Sequence, residues 1–198
     1  MLIGKENPSG KLPVSVAYGA GQLPIYYSHP FGSSYHANDY FGEFAYTDCP
    51  RTPRYPFGYG LSYTKFEYSD LSVSKREIVA GEAFSLSVTV RNTGAYDGTE
   101  IVQLYFTDTC ASVARPNRSL CGFARVSLPK GGKKRLTFIV NCNQFAFLDE
   151  KMRLKVERGD IKLRVAASSA DEGLCETVSI LKDAYLSETD RVFWAESL

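Results

Sequence analysis

Alternation of apolar and polar side chains dominates the chain from Phe66 onward and predicts β-strands. In the segment AFSLSVTVRN every second residue is apolar, and serine, threonine and arginine fill the positions between; the apolar residues are Phe84, Leu86, Val88 and Val90. A period of two places neighbouring side chains on opposite faces of an extended chain. The segments KKRLTFIVN and GDIKLRVAAS repeat this pattern. Each segment therefore predicts a strand with one buried face and one more polar face.

The segment IVQLYF differs because it is almost continuously apolar, which predicts a central strand covered on both faces. Turn sequences rich in glycine and polar residues separate the strand patterns: NTGAYDG, PKGG, ERGD and DEG. About seven short strands without helical periods between them indicate a mainly β fold, an antiparallel β-sandwich of the immunoglobulin or fibronectin type III kind. The sole tryptophan, Trp194, lies near the C-terminus, so the Cys…Trp…Cys pattern of a true immunoglobulin domain is absent.

The first 65 residues have a different composition. They hold seven of the nine prolines and half of the 26 aromatic residues, but only nine charged side chains. Proline removes backbone donors and fixes φ, which excludes long helices here. The aromatic content is too high for a disordered linker, so these rings need a covering surface. We expect a long irregular arm, rich in proline and aromatic residues, that lies on a surface.

The composition thus divides the chain into an arm at residues 1–65, a sandwich at 66–182 and a tail at 183–198. The tail, DAYLSETDRVFWAESL, is compatible with a short helix that packs Val192, Phe193 and Trp194, and equally with a frayed end.

Charge and cysteine usage exclude several classes of partner. The 23 basic and 22 acidic residues nearly cancel and form no long run, which predicts neither a nucleic-acid partner nor a membrane. No stretch approaches the ~18 apolar residues of a membrane span, and MLIGKENPSG lacks the apolar run of a signal peptide. Five cysteines without CxxC spacing fit a reducing compartment, so we expect a soluble protein and favour the cytoplasm.

Few residues of the arm suggest chemistry. We expect no metal and no cofactor, because both histidines, His29 and His36, precede every cysteine and no ligand cluster appears. Neither histidine neighbours a nucleophile motif, so both are expected on the surface. A self-contained glycosidase would need two opposed carboxyl groups. The candidates are Asp39, Glu43 and Asp48, which read better as exposed turn residues, so no catalytic residue is assigned.

Tyrosines in the arm are compatible with sugar stacking, although packing in an interface is the favoured interpretation. The weak candidates for substrate binding are Tyr26, Tyr27 and His29, and Tyr18 is a further ring of the same kind.

Several ordered segments resemble a known enzyme family. They are NPSGKLPVSV, GQLPIYYSH, YTDCPRTPRYPFGYGLSYTKFEYSDL, VRNTGAYDGTEIVQLYFTD, SVARPNRSLCGFARVSL and SSADE. Together they resemble the C-terminal portion of glycoside hydrolase family 3, the β-glucosidases and β-xylosidases. The resemblance covers about residues 2–181.

The resemblance implies an anatomy of a (β/α)-barrel, an α/β sandwich domain and a fibronectin type III-like domain. Catalytic aspartate and glutamate residues lie on the first two, and no position of this chain matches their motifs. Residues 1–16 resemble the end of the second domain, 17–65 the linking arm and 66–182 the fibronectin-like domain. The implied partners are the missing catalytic domains, with oligosaccharide bound only through them.

We therefore expect a structural module of a β-glycosidase that lacks the catalytic carboxylates and is inactive alone. The alternative is a stand-alone carbohydrate- or protein-binding module that uses the tyrosine-rich arm. The choice between glucoside and xyloside, the origin of the chain as a truncated, split or independent product, and its oligomeric state stay open.

Overall fold

A computed structural model describes residues 3–32 and 48–198. These residues form twelve β-strands and three short 3-10 helices. The strands are β1 (Phe66–Val73), β2 (Glu77–Ile78), β3 (Ala83–Asn92), β4 (Gly98–Asp108), β5 (Ser119–Leu128), β6 (Lys133–Asn141), β7 (Phe147–Leu148), β8 (Leu154–Val156), β9 (Gly159–Ala166), β10 (Leu174–Ile180), β11 (Ala184–Tyr185) and β12 (Glu196–Ser197). The 3-10 helices are Ala20–Gln22, Cys142–Phe145 and Glu188–Asp190. None of these helices is long and apolar enough to cross a membrane.

The strands form two main sheets and one small sheet. The first main sheet has the order β1-β3-β6-β12 and the second the order β2-β10-β9-β4-β5, while β11-β8-β7 form the small sheet. Neighbouring strands are antiparallel except β2 and β10, which pair in parallel. Seven of the described strands are seven residues or longer, and four of the turns between them are those predicted from sequence. The predicted mainly β, antiparallel fold is confirmed.

The core lies between the two main sheets and follows the predicted alternation. On β3 the residues Phe84, Leu86, Val88 and Val90 are all buried. The apolar residues of β6 and β9 are buried in the same way: Leu136, Phe138, Val140, Ile161, Leu163 and Val165. Strand β4 is buried on both faces along its middle, as the apolar run IVQLYF predicted.

Asn92 organises the turn between β3 and β4. Its Oδ1 accepts hydrogen bonds from Thr64 Oγ1 at 2.6 Å and from the Gly94 N–H at 3.1 Å. Its Nδ2 donates to the carbonyls of Tyr96 at 2.8 Å and Leu128 at 3.1 Å. The side chain is fully buried, so these four bonds satisfy a group that would otherwise be costly to dehydrate. One residue thereby links the turn, β5 and the end of the arm.

The tail contains the 3-10 helix Glu188–Asp190, but residues 191–195 are not helical and lead into strand β12, which differs from both alternatives left open by the sequence. Residues 196–197 add β12 to the edge of β6, and the Ala195 N–H donates to the Cys121 carbonyl of β5 at 2.7 Å. Ala195 is buried, whereas Phe193 is 69% exposed. Trp194 packs edge-on against Phe123 with ring centroids 5.3 Å apart. The tail is ordered because it bridges the neighbouring edges of the two main sheets.

Candidate functional site

The arm covers the outer face of β4. Gln103 and Tyr105 point away from the core, yet both are buried, because arm residues lie over them. Gln103 Nε2 donates to the carbonyls of Gly58 at 3.1 Å and Ala167 at 2.6 Å, and its Oε1 accepts from the Tyr105 hydroxyl at 2.5 Å. One buried amide therefore joins the arm, the central strand and the loop after β9.

Gly58 is the arm residue for which side-chain size matters most at this junction. Its φ is +78°, a conformation that glycine adopts without strain. A Cβ at this position would overlap the Gln103 side chain. The GYG sequence of the arm thus permits close approach of backbone to the sheet.

Tyr27 forms the aromatic part of the same junction. Its ring stacks on Phe57 at 4.2 Å and 14°, and meets Tyr105 edge-on at 6.2 Å. Its hydroxyl accepts a hydrogen bond from the Leu120 N–H at 3.3 Å. Burial raises the pKa of both the Tyr27 and the Tyr105 phenol above the ordinary value, because the charged form would be poorly solvated. Both phenols are therefore protonated at neutral pH.

His29 also lies against the sandwich, and the expectation that it sits on the surface is wrong. Only 5% of it is exposed. The Asn117 N–H donates to the His29 carbonyl at 2.9 Å, and His29 Nε2 lies 3.5 Å from Asn117 Nδ2. A β-bridge between Pro30 and Pro116 continues this contact. The contact buries the ring because the chain runs alongside the segment before β5. The second histidine, His36, lies outside the described residues.

Tyr26 points the other way and is 62% exposed. The three sequence candidates are therefore not brought together, because Tyr27 and His29 face the sandwich while Tyr26 faces solvent. Further apolar side chains of the arm are also exposed, and we call this set the exposed arm residues: Val14, Tyr18, Leu23, Tyr26 and Phe31. Substrate binding by Tyr26, Tyr27 or His29 stays a prediction.

Two further polar groups hold the arm in shape. Lys11 Nζ and Glu100 Oε1 form an ion pair of 2.9 Å, with side chains only 14% and 7% exposed. Gln22, which is buried, donates from Nε2 to three successive carbonyls of the later arm at 2.9 to 3.2 Å: Pro50, Arg51 and Thr52. Sequence reasoning missed these anchors. Among these anchors, only Gln103 could have been noticed in the sequence, because it is the polar residue inside the apolar run IVQLYF.

The candidate acids do not form a described active site. Asp48 is exposed, as a turn residue should be, and Asp39 and Glu43 lie outside the described residues. Over residues 3–32 and 48–198, no group of three or more histidine, cysteine or acidic side chains is placed to hold a metal ion. All five cysteines are described and unpaired. Burial raises the pKa of the Cys142 thiol to about 12, which makes it unreactive at neutral pH.

The sandwich and its sequence define the class of domain. Residues 100–169 match the family model of the fibronectin type III-like domain. This stretch runs from β4 to the loop after β9 and includes Gln103 and Tyr105.

The chain is also similar to a segment of several larger proteins. It is 38% identical to "Putative beta-xylosidase" of Formosa agariphila over 171 residues, which is 86% of this chain and 22% of that protein. It is also 38% identical to "Thermostable beta-glucosidase B" of Acetivibrio thermocellus over 184 residues, 91% of this chain and 24% of that protein. The crystal structure of β-glucosidase from Listeria innocua superimposes with a TM-score of 0.81 at 34% identity, covering 94% of this chain and 26% of that one.

The chain thus spans about a quarter or less of the length of the proteins it matches. It carries a fibronectin type III-like domain and corresponds to the C-terminal portion of the β-glucosidases and β-xylosidases of glycoside hydrolase family 3. The resemblance stated from sequence is confirmed.

Proposed function

We propose that this chain is the C-terminal structural module of a β-glycosidase and braces the catalytic domains. In this proposal the arm at residues 1–65 comprises the end of the preceding α/β sandwich domain and a linking segment, residues 66–182 are the fibronectin type III-like sandwich, and residues 183–198 are the tail. The module contributes rigidity and surface rather than reacting groups.

The observation that carries the proposal is the two-sided arm. One side is fixed to the sandwich through Gln103, Tyr27 and His29, while the exposed arm residues face outward. Apolar side chains such as Leu23 and Tyr26, 61% and 62% exposed, are typical of surfaces that a partner covers. Relatives four times longer supply a partner of the right kind, namely the rest of the same enzyme.

The catalytic carboxylates would then lie in a barrel and an α/β sandwich domain outside this sequence. Oligosaccharide would reach the module only through them, and the choice between glucoside and xyloside would rest on their pockets. The purified chain should show no turnover of aryl β-glucosides or β-xylosides. Clear turnover abolished by changing Asp48 would contradict the proposal.

Docking can be tested with a relative as partner. Thermostable β-glucosidase B lacking the segment that matches this chain would be co-expressed with the chain and the pair purified through a tag on either component. We expect a complex, because the two sequences are 38% identical over the matched segment. Recovery of β-glucosidase activity in the complex would support a bracing role, and failure to form any complex would count against it.

Matched leucine variants locate the docking surface. Leu23→Ser removes an exposed arm residue, and Leu148→Ser removes a leucine of the small sheet that is 44% exposed. Leu23→Ser should weaken the complex while Leu148→Ser leaves it intact. The reverse order would place the interface away from the arm.

A second candidate function is a free-standing binding module, which the outward ring of Tyr26 favours. In that case the chain should be retained on insoluble glucan or xylan, and Tyr26→Ala should abolish retention. Retention of the wild-type chain without complex formation would replace the bracing proposal with this one.

A further inference from the structure

An open groove of about 1090 Å³ lies at one end of the sandwich, away from the contacts of Gln103 and Tyr27. Residues 4–7 of the arm form one side, and the turns after β3 and after β5 form the other. The charged and aromatic side chains that line it are Lys5, Glu6, Tyr63, Tyr96, Asp97 and Lys130. The volume is at the upper end of the range for small-molecule sites, so it accommodates a ligand of several rings.

The walls of the groove are held in place by hydrogen bonds. Asn7 donates from Nδ2 to the Asp97 carbonyl at 2.8 Å, and its Oδ1 accepts from Ser62 Oγ at 3.0 Å and the Tyr63 N–H at 2.9 Å. Asp97 Oδ1 accepts from the Lys130 N–H at 2.8 Å. These bonds tie the arm to both turns, so the groove exists before a ligand arrives and little ordering opposes binding.

Two tyrosine rings line the groove from different parts of the chain. Tyr63 comes from the end of the arm and is 48% exposed, and Tyr96 comes from the turn after β3 and is 62% exposed. Exposed tyrosine offers an apolar ring face and a hydroxyl that both donates and accepts hydrogen bonds. This combination suits a ligand that is itself apolar on its ring faces and polar at its edges.

The charges of the groove balance. Lys5 and Lys130 are matched by Glu6 and Asp97. A site for phosphate or another anion would need an excess of cations, and a site for an aliphatic ligand would lack so many polar groups. Balanced charges that donate and accept hydrogen bonds, placed beside tyrosine rings, fit a neutral ligand rich in hydroxyl groups.

We propose that this groove binds a neutral oligosaccharide, separately from any catalytic pocket. The inference does not depend on Tyr26 or on the other exposed arm residues, because Val14, Tyr18, Leu23, Tyr26 and Phe31 do not line the groove. It assigns to the module a saccharide contact of its own, in addition to its bracing role.

The test is an NMR titration of the 198-residue chain, labelled with ¹⁵N, with cellotetraose and with xylotetraose. At least one of these should shift the backbone amides of Ala95, Asp97, Gly98 and Lys130. Tyr63→Ala and Tyr96→Ala should each weaken binding roughly three- to tenfold, the size expected for one aromatic contact. Tyr185→Ala, which removes a tyrosine that is 55% exposed and lies on the small sheet, should leave the affinity unchanged.

Three results would overturn the inference. The first is the absence of groove shifts with both saccharides at saturating solubility. The second is a shift pattern centred on Tyr26 and Tyr18, which would place saccharide binding on the arm. The third is equal or tighter binding of a sulfated oligosaccharide at the groove, which would show that charge rather than neutral chemistry is recognised. Circular dichroism of each variant would check that the fold is retained, and the docking experiment with Leu23→Ser is independent of all three outcomes.

Discussion

The sandwich and the arm are stabilised in different ways. In the sandwich, many similar apolar residues share the burial, and β3, β6 and β9 each contribute alternate side chains to one continuous core. In the arm, a few dissimilar contacts hold irregular backbone: an amide at Gln103, an ion pair at Lys11 and a ring stack at Tyr27. In the sandwich the stabilisation is spread over many apolar side chains of one core, whereas each contact of the arm depends on particular atoms.

Because of this difference, we expect that contacts of the arm can be altered without loss of the fold. A change in the core is expected to act on the whole domain, because the two sheets share one core and small domains with one core unfold cooperatively. A change at an arm contact acts on the attachment of the arm, because the sandwich retains its own core.

The largest expected effect is from Phe138→Ala in β6. Phe138 is fully buried at the centre of the core, so its truncation removes apolar contacts and leaves a cavity. We expect a loss of about 3–5 kcal/mol in the free energy of unfolding, measured by urea denaturation. Phe123→Ala, at a phenylalanine that is 48% exposed, is the control and should cost far less. Equal losses would mean that the core does not dominate stability.

A smaller effect is expected from Gly58→Ala in the arm. The positive φ is unfavourable for alanine, and the added Cβ overlaps Gln103. We therefore expect the free energy that holds the arm on the sandwich to fall by roughly 2–3 kcal/mol. Gly81→Ala is the matched control, because Gly81 has φ +84° with nothing near the added atom, and should cost only about 1 kcal/mol. In Gly58→Ala, hydrogen exchange should accelerate at the amides of the arm relative to the unsubstituted chain, and should accelerate less in β3. Uniform acceleration across the sandwich would contradict a separate arm junction.

Alkaline pH should loosen the junction. Burial raises the pKa of Tyr105 in the folded state above the ordinary 10.0, so above pH 10 the unfolded chain releases a proton that the folded chain retains. This contribution to stability is complete below pH 10 and is lost as pH rises further, by about 1 kcal/mol between pH 10 and 11 for Tyr105 alone. Urea unfolding midpoints at several pH values measure how steeply the stability falls with pH. Tyr105→Phe should reduce the loss of stability with rising pH, to which the raised pKa of Tyr27 also contributes, and an unchanged loss would remove Tyr105 as one of its causes.

The smallest effect on stability is expected from Leu23→Ser. The side chain is 61% exposed, so the free energy of unfolding should change by less than about 0.5 kcal/mol. The same variant is expected to weaken docking, which distinguishes a surface role from a folding role. A large loss of stability would show that Leu23 packs within the module instead.

Most of the sandwich was predictable because its periodicity is a local property. The alternation on β3 and the turn sequence NTGAYDG indicate strand and turn without knowledge of distant residues. The partners of Asn92 were not predictable, since Thr64 and Leu128 lie far away in sequence on either side.

The arm was predictable in composition but not in orientation. Tyr26 and Tyr27 are adjacent and chemically identical, yet one faces solvent and the other stacks on Phe57. Irregular backbone has no fixed period, so burial cannot be assigned from spacing. His29 was misplaced for the same reason, because the segment that buries it lies nearly ninety residues later. The conformation of the tail could not be predicted from the sequence, because its two-residue strand forms only where β6 leaves an edge open for pairing.

That short strand β12 has a practical consequence for handling the protein. Residues 196–197 occupy hydrogen-bonding positions on β6 that would otherwise face water and invite pairing with another molecule. Exopeptidase trimming of the last few residues, or a bulky fusion attached there, would uncover this edge. Preparations altered in this way should form aggregates at concentrations where the unaltered chain stays dispersed.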